Sequence, residues 1–485
     1  MPVTPPIAFD GDPTLRPLAP QVDLPEGFVE RLPAVVDADR AEAGRDWWPL
    51  AMTWALDGEV PGLPAVVTQP TTADEVATIL RLCSEHRVPV TAAGGRSGVV
   101  GASIPIHGGV VLDTTAMTGI VAVDDPSLTI EVLPGTFGDE LEAELREAHG
   151  LTLGHWPQSV SLSTVGGWLA CRSAGQLSTR YGKIEDMVVG LEVVLAEGTV
   201  VRTGGAPRAA VGPDLTQLFV GSEGTLGVIT RAWLRCHPAP TAEAKAAYGF
   251  PTMDDGLDAC RRILRRGATP AVLRLYDPTE SKRSHDTDLA VLLVYDEGEP
   301  ALVDSAMALV SEECMAAHRL DDALVDGWFG HRNDVSALES LTRKGFVVDT
   351  MEVAGPWSAL PRIYSDVVAA LGAVEHNLAA SAHVSHSYGD GACLYFSFAG
   401  RPPADAKDRY YVDAWNAATG AVLAAGGALS HHHGVGLNRG RFMADALGTG
   451  LGVLAAVKAA LDPAGVLNPG KLGLASPFGA VTWPS

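Results

Sequence analysis

The chain has 485 residues, 47% of them hydrophobic and 19% charged, with a formal net charge of −23. That length exceeds one ordinary core and predicts two or three packed domains, and the composition excludes a disordered chain. The acidic balance excludes broad attraction to a nucleic-acid backbone or an anionic membrane, while a pocket lined by a few arginines can still hold an anionic small molecule.

The first thirty residues are rich in proline and acid and lack the basic and apolar regions of a signal peptide. No run of eighteen apolar residues follows, so a cytoplasmic protein without membrane insertion is expected. Cys83, Cys171, Cys236, Cys260, Cys314 and Cys393 show neither a CxxC pair nor finger-like spacing and are expected as buried thiols.

After this lead-in (1–59), "TTADEVATILRLCSEHR" (71–87) predicts a helix, with Thr72 as cap, Glu75 completing a capping box, and Val76, Ile79, Leu80 and Cys83 on one apolar face. "VPVTAAGG" is a short strand running into glycines, and "GGVVLDTTAM", "GIVAVD" and "LTIEVLPG" are β-rich. Residues 137–150 form a second amphipathic helix stopped by Gly150. Residues 186–205 read as strand, turn at Gly198 and strand, and 227–238 as a further strand ending in the linker "PAPTAEAKA". Beyond the linker, helical stretches such as "GLDACRRILRR" alternate with strands such as "PAVLRLYD", "LAVLLVYD" and "CLYFSFAG", which predicts a second α+β domain. The last segment is a helix and a Pro/Gly loop.

Two glycine loops, "GGRSGVVGASIP" (94–105) and "GSEGTLGVIT" (221–230), can present backbone amides to a pyrophosphate. Neither lies between a strand and a helix, so neither is a Rossmann fingerprint, and each is equally readable as a tight turn. Between them, 154–188 is rich in Gly, Ser and Thr donors, with apolar residues too sparse for a helix of its own, and is suited to wrapping a polar cofactor with Arg172 or Arg180 as further donors.

Together "GGRSGVVGA", "STVGGW", "YGKIED" and "GSEGTLGVIT" resemble the FAD-binding domain of the vanillyl-alcohol oxidase (type-4 FAD-binding) superfamily, over about Pro64–Pro238 and again Pro270–Leu472. With "GHWPQS", "RLYD", "DGACLYF" and "SHHHGVG" added, the pattern is most similar to the alkylglycerone-phosphate synthase family. The resemblance implies an α+β fold: a two-subdomain FAD-binding domain of PCMH type (60–240), a cap or substrate domain with an antiparallel sheet (241–459), and a C-terminal segment (460–485) returning to the first.

The same resemblance implies noncovalent FAD, since no flavin-linking His or Cys stands clearly in either loop, although Cys171 is near. Gly94, Gly95, Arg96, Ser97, Gly98 and Gly101 would cradle the pyrophosphate. Ser159, Thr164, Gly166 and Gly167 would line the isoalloxazine and ribityl chain, with Pro157, Ser163, Arg172, Gly175, Gly182 and Glu223 in the same cofactor-binding set. Gly224, Gly227 and Ile229 would close around the cofactor, and Asn468 and Lys471 would return to it from the C-terminus.

Residues 431–433 are three consecutive histidines in a chain with fourteen. In an extended loop side chains alternate, so His431 and His433 would share one face and His432 the other, a poor grip on one ion. The metal-dependent D-2-hydroxyacid dehydrogenases of the superfamily carry "HxGDGNxH" and a later Glu before "HGxG". Here His386 remains, the second histidine is Leu394 or Tyr395, and the acid's position holds His432. No metal is therefore expected, with a rearranged site left open.

The resemblance instead implies that Tyr395 and His431, His432 and His433 face flavin N5 and handle a proton. The residue types suit that work, since imidazole titrates near neutrality and a phenol donates to a developing oxyanion. His155, Arg274 and His386 would contact substrate, with Arg274 equally readable as a structural ion pair. Aligned on "TMEVAGPW" (350–357), the arginine that binds substrate phosphate in the synthase family falls at Leu338, with Arg332 or Arg343 as substitutes.

The expected activity is therefore FAD-dependent oxidation of a small hydroxy acid or alcohol. The alternatives are a synthase-like transferase that forms an ether bond through a flavin adduct, and a non-catalytic flavin or metal carrier. A homodimer is left open.

Overall fold

Thr72 stands in extended backbone and its hydroxyl accepts the N–H of Glu75 at 3.2 Å, so the first helix starts where the capping pattern puts it. It runs Ala73–His86 and buries Val76, Ile79, Leu80 and Cys83 completely. The Glu75 carboxylate returns to the N–H of Thr71, one residue earlier than a regular box. This helix is the crossover between strands Val66–Thr68 and Val90–Ala93, which both pair in parallel with Val110–Asp113. Val35–Val36 adds an antiparallel edge to that sheet.

The structure, a computed structural model, describes residues 12–36, 38–45, 47–334 and 336–484, without the side chains of 336–338. The Leu338 side chain and the start of the lead-in thus lie outside what is described.

A second sheet is antiparallel, in the spatial order Val200–Gly204, Val188–Val194, Val228–Arg235, Thr129–Val132, Ile120–Asp124. The third has seven antiparallel strands: His318–Leu320, Ala242–Phe250, Ala290–Gly298, Val272–Tyr276, Asn377–Ser387, Gly391–Gly400 and Val347–Pro356. Alternation sorts its side chains. Leu273, Leu275, Leu292 and Val294 lie on the face covered by helices Met253–Arg265 and Pro300–Glu313, while helices Leu360–Gly372 and Lys407–Ala424 cover strands Asn377–Ser387, Gly391–Gly400 and Val347–Pro356 of the same core. Val272, Tyr276, Val291 and Leu293 share a core with Leu191, Val193, Ala232 and Leu234 of the second sheet. Both faces of the large sheet are covered, which is why 290–295 reads as an unbroken apolar run.

Three expectations change. Residues 154–188 contain short helices Val165–Cys171, Ser178–Tyr181 and Ile184–Met187, because the neighbouring sheet buries Val165, Trp168, Leu169, Ile184 and Met187. The "PAPTAEAKA" linker shrinks, since Ala242–Phe250 is a strand paired residue for residue with Ala290–Gly298. Helix 137–150 is α-helical over Gly138–Glu144 and widens to a π-turn over Leu145–His149 before Gly150.

The lead-in is also more than a tether. Its helix Pro49–Leu56 buries Trp54, and the preceding Trp48 is fully buried as well. Their indole N–H groups donate to the Tyr411 hydroxyl (2.5 Å) and to Asp408 (2.9 Å) on helix Lys407–Ala424. Among the described residues no helix is long and apolar enough to cross a membrane.

Candidate active site

A cavity of about 960 Å³ lies between the first two sheets and the large one. Gly94 to Gly98 form one wall, and the N–H groups of these residues donate to nothing among the described residues. Such a row of open amides suits an anion such as a pyrophosphate. The glycines are required: a Cβ on Gly95 would sit 2.0 Å from the Leu162 carbonyl oxygen, and one on Gly94 2.3 Å from Thr164 Oγ1. That buried hydroxyl forms no hydrogen bond among the described residues, so the wall offers a polar group as well as amides.

Arg96, Pro157, Ser159, Ser163, Thr164, Gly166, Gly167, Glu223, Gly224, Gly227 and Ile229 also border the cavity. Gly101, Arg172, Gly175, Gly182, Asn468 and Lys471 do not. Gly101 turns with φ 77° beneath Leu437. Arg172 caps helix Val165–Cys171 and reaches outward to Glu185. Gly175 lets the chain pass Trp156, and Gly182 turns beside Asp186. Asn468 and Lys471 act from behind the wall: the Asn468 amide donates to the carbonyls of Ala102 and Glu223, and Lys471 Nζ to that of Ile104.

The facing wall is the large sheet. Register sets Tyr395 opposite Glu352 on one side and opposite His383 on the other, so three strands carry the three side chains in a row on the cavity face. The Tyr395 hydroxyl is 3.0 Å from Thr350 Oγ1, and its ring stacks on His383 at 4.9 Å. Burial pushes the phenol up to about 12, so it is a hydrogen-bond donor at neutral pH.

Arg274 cannot accept a hydrogen bond, so His383 Nε2 accepts from it at 2.6 Å and Nδ1–H faces the Glu280 carboxylate at 3.2 Å. Arg274 Nε also donates to the Tyr276 hydroxyl at 2.7 Å. Both partners are neutral, and Arg274 forms no ion pair within 4 Å among the described residues.

The histidine loop is curled rather than extended. The Glu352 carboxylate, fully buried, accepts from Ser430 Oγ (2.8 Å) and from the N–H groups of His431 (3.0 Å), His432 (3.3 Å) and His433 (2.5 Å). Glu223 accepts from the N–H groups of Val435 (2.6 Å) and Gly436 (2.8 Å), and Lys183 Nζ donates to the His431 carbonyl at 2.6 Å.

Three successive N–H groups can meet one carboxylate only if the backbone bends, so the expected alternation fails. His432 and His433 border the cavity, whereas His431 turns behind it and stacks on His386 at 5.0 Å. Burial lowers all three imidazoles, His433 to about 4; they are neutral and able to accept a proton at pH 7.

The bend also gathers His386, His431 and His432, whose donor nitrogens lie within 4.8 Å of one another. These three could hold a metal ion, a grouping that an extended loop would not produce and that falls at the rearranged site left open above. One nitrogen of each is already engaged, His431 Nδ1 with His432 Nδ1 (3.0 Å) and His386 Nδ1 with Ser178 Oγ (2.8 Å).

His155 lies elsewhere: it is fully buried, packed on Trp168 at 4.7 Å and bonded to Ser173, away from the cavity wall. Arg332 borders the cavity with its guanidinium over the Phe329 ring at 4.8 Å, while Arg343 pairs with Glu339. The sequence reading did not single out Glu352, His383 or Glu280. A carboxylate inside an apolar strand, as in "VVDTMEVAG", is the one local signal by which Glu352 could have been found.

Comparison with known proteins agrees with this geometry. The FAD binding domain family matches residues 64–204, and the family of the C-terminal domain of FAD linked oxidases matches 239–472. The chain is 33% identical over 435 residues to the FAD-linked oxidoreductase YgcU of Escherichia coli K12, covering 84% of this chain and 89% of that one. It is 30% identical over 476 residues to the glycolate oxidase subunit GlcD of Bacillus subtilis, covering 93% and 95%. A solved alkyldihydroxyacetonephosphate synthase superposes with a TM-score of 0.75 at 27% identity, over 96% of this chain and 89% of the other. The open amide row, the glycines that no Cβ could replace and the matched domains together place this chain among the FAD-linked oxidoreductases of the vanillyl-alcohol oxidase/PCMH superfamily, with FAD as its cofactor.

Proposed function

We propose that the protein oxidises a small 2-hydroxy acid, with the substrate carboxylate on Arg274 and the reacting hydroxyl among Tyr395, His432 and His433. The observation that carries this reading is Arg274 itself: a guanidinium on the cavity wall, held by two neutral groups, with no carboxylate within ion-pair distance among the described residues. A partly buried cation so placed favours an anionic ligand. Its hydrogen bonds to His383 and Tyr276 fix the fork before substrate arrives, which reduces the ordering cost of binding.

Bound FAD supplies the acceptor for two electrons. The protein's own part is acid–base and positional. The neutral imidazole of His433 or His432 takes the hydroxyl proton as the substrate carbon is oxidised, and the Tyr395 phenol donates a hydrogen bond to the same oxygen, held in line by Thr350. The similarity to GlcD, named for glycolate oxidation, supports this substrate class.

Anaerobic addition of 2-hydroxy acids should bleach the oxidised flavin band, and Arg274→Met should raise KM for those acids by about 10- to 100-fold, the loss expected for a charge-assisted hydrogen bond. Equal bleaching by uncharged alcohols in parent and variant contradicts the assignment. A second reading, a synthase-like transferase, is supported by Arg332 on the cavity wall and the likeness to the solved synthase. It predicts turnover of an acylated dihydroxyacetone phosphate without net flavin reduction.

A further inference from the structure

Glu352 sits in the middle of strand Val347–Pro356 with no exposed surface, and the proposed reaction gives it no proton to carry. Its two oxygens nevertheless collect five donors: Ser430 Oγ, the N–H groups of His431, His432 and His433, and Arg439 Nη1 at 3.0 Å. Arg439 is equally buried; its Nε and Nη2 have no hydrogen-bond partner among the described residues, and its cation rests on this one carboxylate and the Trp415 ring at 5.3 Å. So much donation to one group defines its charge state. Burial alone would raise the Glu352 pKa, but Arg439 and the loop N–H groups bring it below the ordinary carboxylate value.

We propose that the negative charge of Glu352 is the positioning device of the histidine loop, turning His432 and His433 into the cavity by gathering three consecutive backbone N–H groups. The inference rests on the reading that these imidazoles serve the oxidation. An uncharged residue of the same shape cannot replace it. A glutamine has one acceptor oxygen, and its NH₂ would face N–H groups that also donate. An aspartate is one methylene short of the loop. Without the carboxylate the three N–H groups lose their common acceptor; the anchors that remain, Lys183 on the His431 carbonyl, Ser430 Oγ on Gly434 N–H and Glu223 on Val435 and Gly436, do not reach the N–H groups of 431–433, and a segment that extends there returns His432 to the face opposite His433.

Glu352→Gln should lower kcat by about 100-fold, the cost of misplacing a group by about 1 Å, with KM within about threefold and flavin content unchanged. Since the single variant strands Arg439, Glu352→Gln/Arg439→Met serves as the second: with no charge left unpaired it should fold, and kcat should stay low. Diethylpyrocarbonate labelling read by mass spectrometry supplies an arm that needs no substrate. His432 and His433 should label about tenfold faster in both variants, while His383, held by Arg274 and Glu280, keeps its rate.

Parent-like kcat in the double variant, unchanged labelling of His432 and His433, or loss of flavin in step with kcat would each overturn the proposal. If no hydroxy acid reduces the parent's flavin, it is the functional reading that fails, and the labelling still decides the role of Glu352.

Discussion

Tyr395 joins the two kinds of information in this site. Its phenol reaches Thr350 and its ring stacks on His383, so Tyr395→Phe removes a hydroxyl while the aromatic packing stays. Single-turnover flavin reduction should slow by about 10²- to 10⁴-fold, the usual contribution of a positioned acid or base, with flavin binding retained. For the imidazoles the sign of the pH effect is fixed by burial, which disfavours the charged ring. The base form of His433 therefore persists down to about 4, and kcat/KM should begin to fall near that pH rather than near the ordinary histidine value of about 6.5. An acid limb at the ordinary value would remove His433 as the base. The family resemblance and the residue types pointed to Tyr395 and the histidines. They could not show that His431 faces away or that His155 is packed on Trp168, because both facts depend on neighbours distant in sequence.

At the scale of elements, local chemistry and tertiary packing divided the outcome. The helix at 73–86 followed from its cap and its apolar face, and the strand pairs around Gly198 followed from their alternation. The helices within 165–187 did not, since each is too short to persist without the sheet that buries its apolar residues. Glycines behave likewise. Gly95 reads as a turn residue, yet its reason is the Leu162 carbonyl that a Cβ would meet at 2.0 Å. Gly95→Ala must push back either the Leu162 backbone or the amide wall. The purified variant should bind FAD at least about tenfold more weakly, as measured by fluorescence titration, because a sub-ångström shift of several amides weakens each hydrogen bond to the cofactor. Parent-like FAD affinity would mean that this wall does not hold the cofactor.

Across the whole molecule the cavity exists because two layers are locked together. A shared core runs from the antiparallel sheet of the first half into the large sheet. Over it, Arg180 of helix Ser178–Tyr181 makes two hydrogen bonds, of 2.8 and 2.5 Å, to the fully buried carboxylate of Asp296. Arg180→Ala leaves that carboxylate without its cation and should cost about 3–5 kcal/mol in chemical denaturation. Arg180→Ala/Asp296→Ala should recover part of the loss, because the desolvated charge is gone; a double variant as unstable as the single one would assign the loss to packing instead.

The sequence by itself determined what periodicity, capping and glycine placement encode within about twenty residues: many of the strands and helices and the two glycine loops. Those are local properties, set by backbone sterics and by which side chains seek water. Tertiary structure alone decided that Glu352, Tyr395 and His383 stand in one row and that the histidine loop bends around a buried carboxylate. Strand register and charge burial join residues far apart in the chain, and no local pattern carries that pairing.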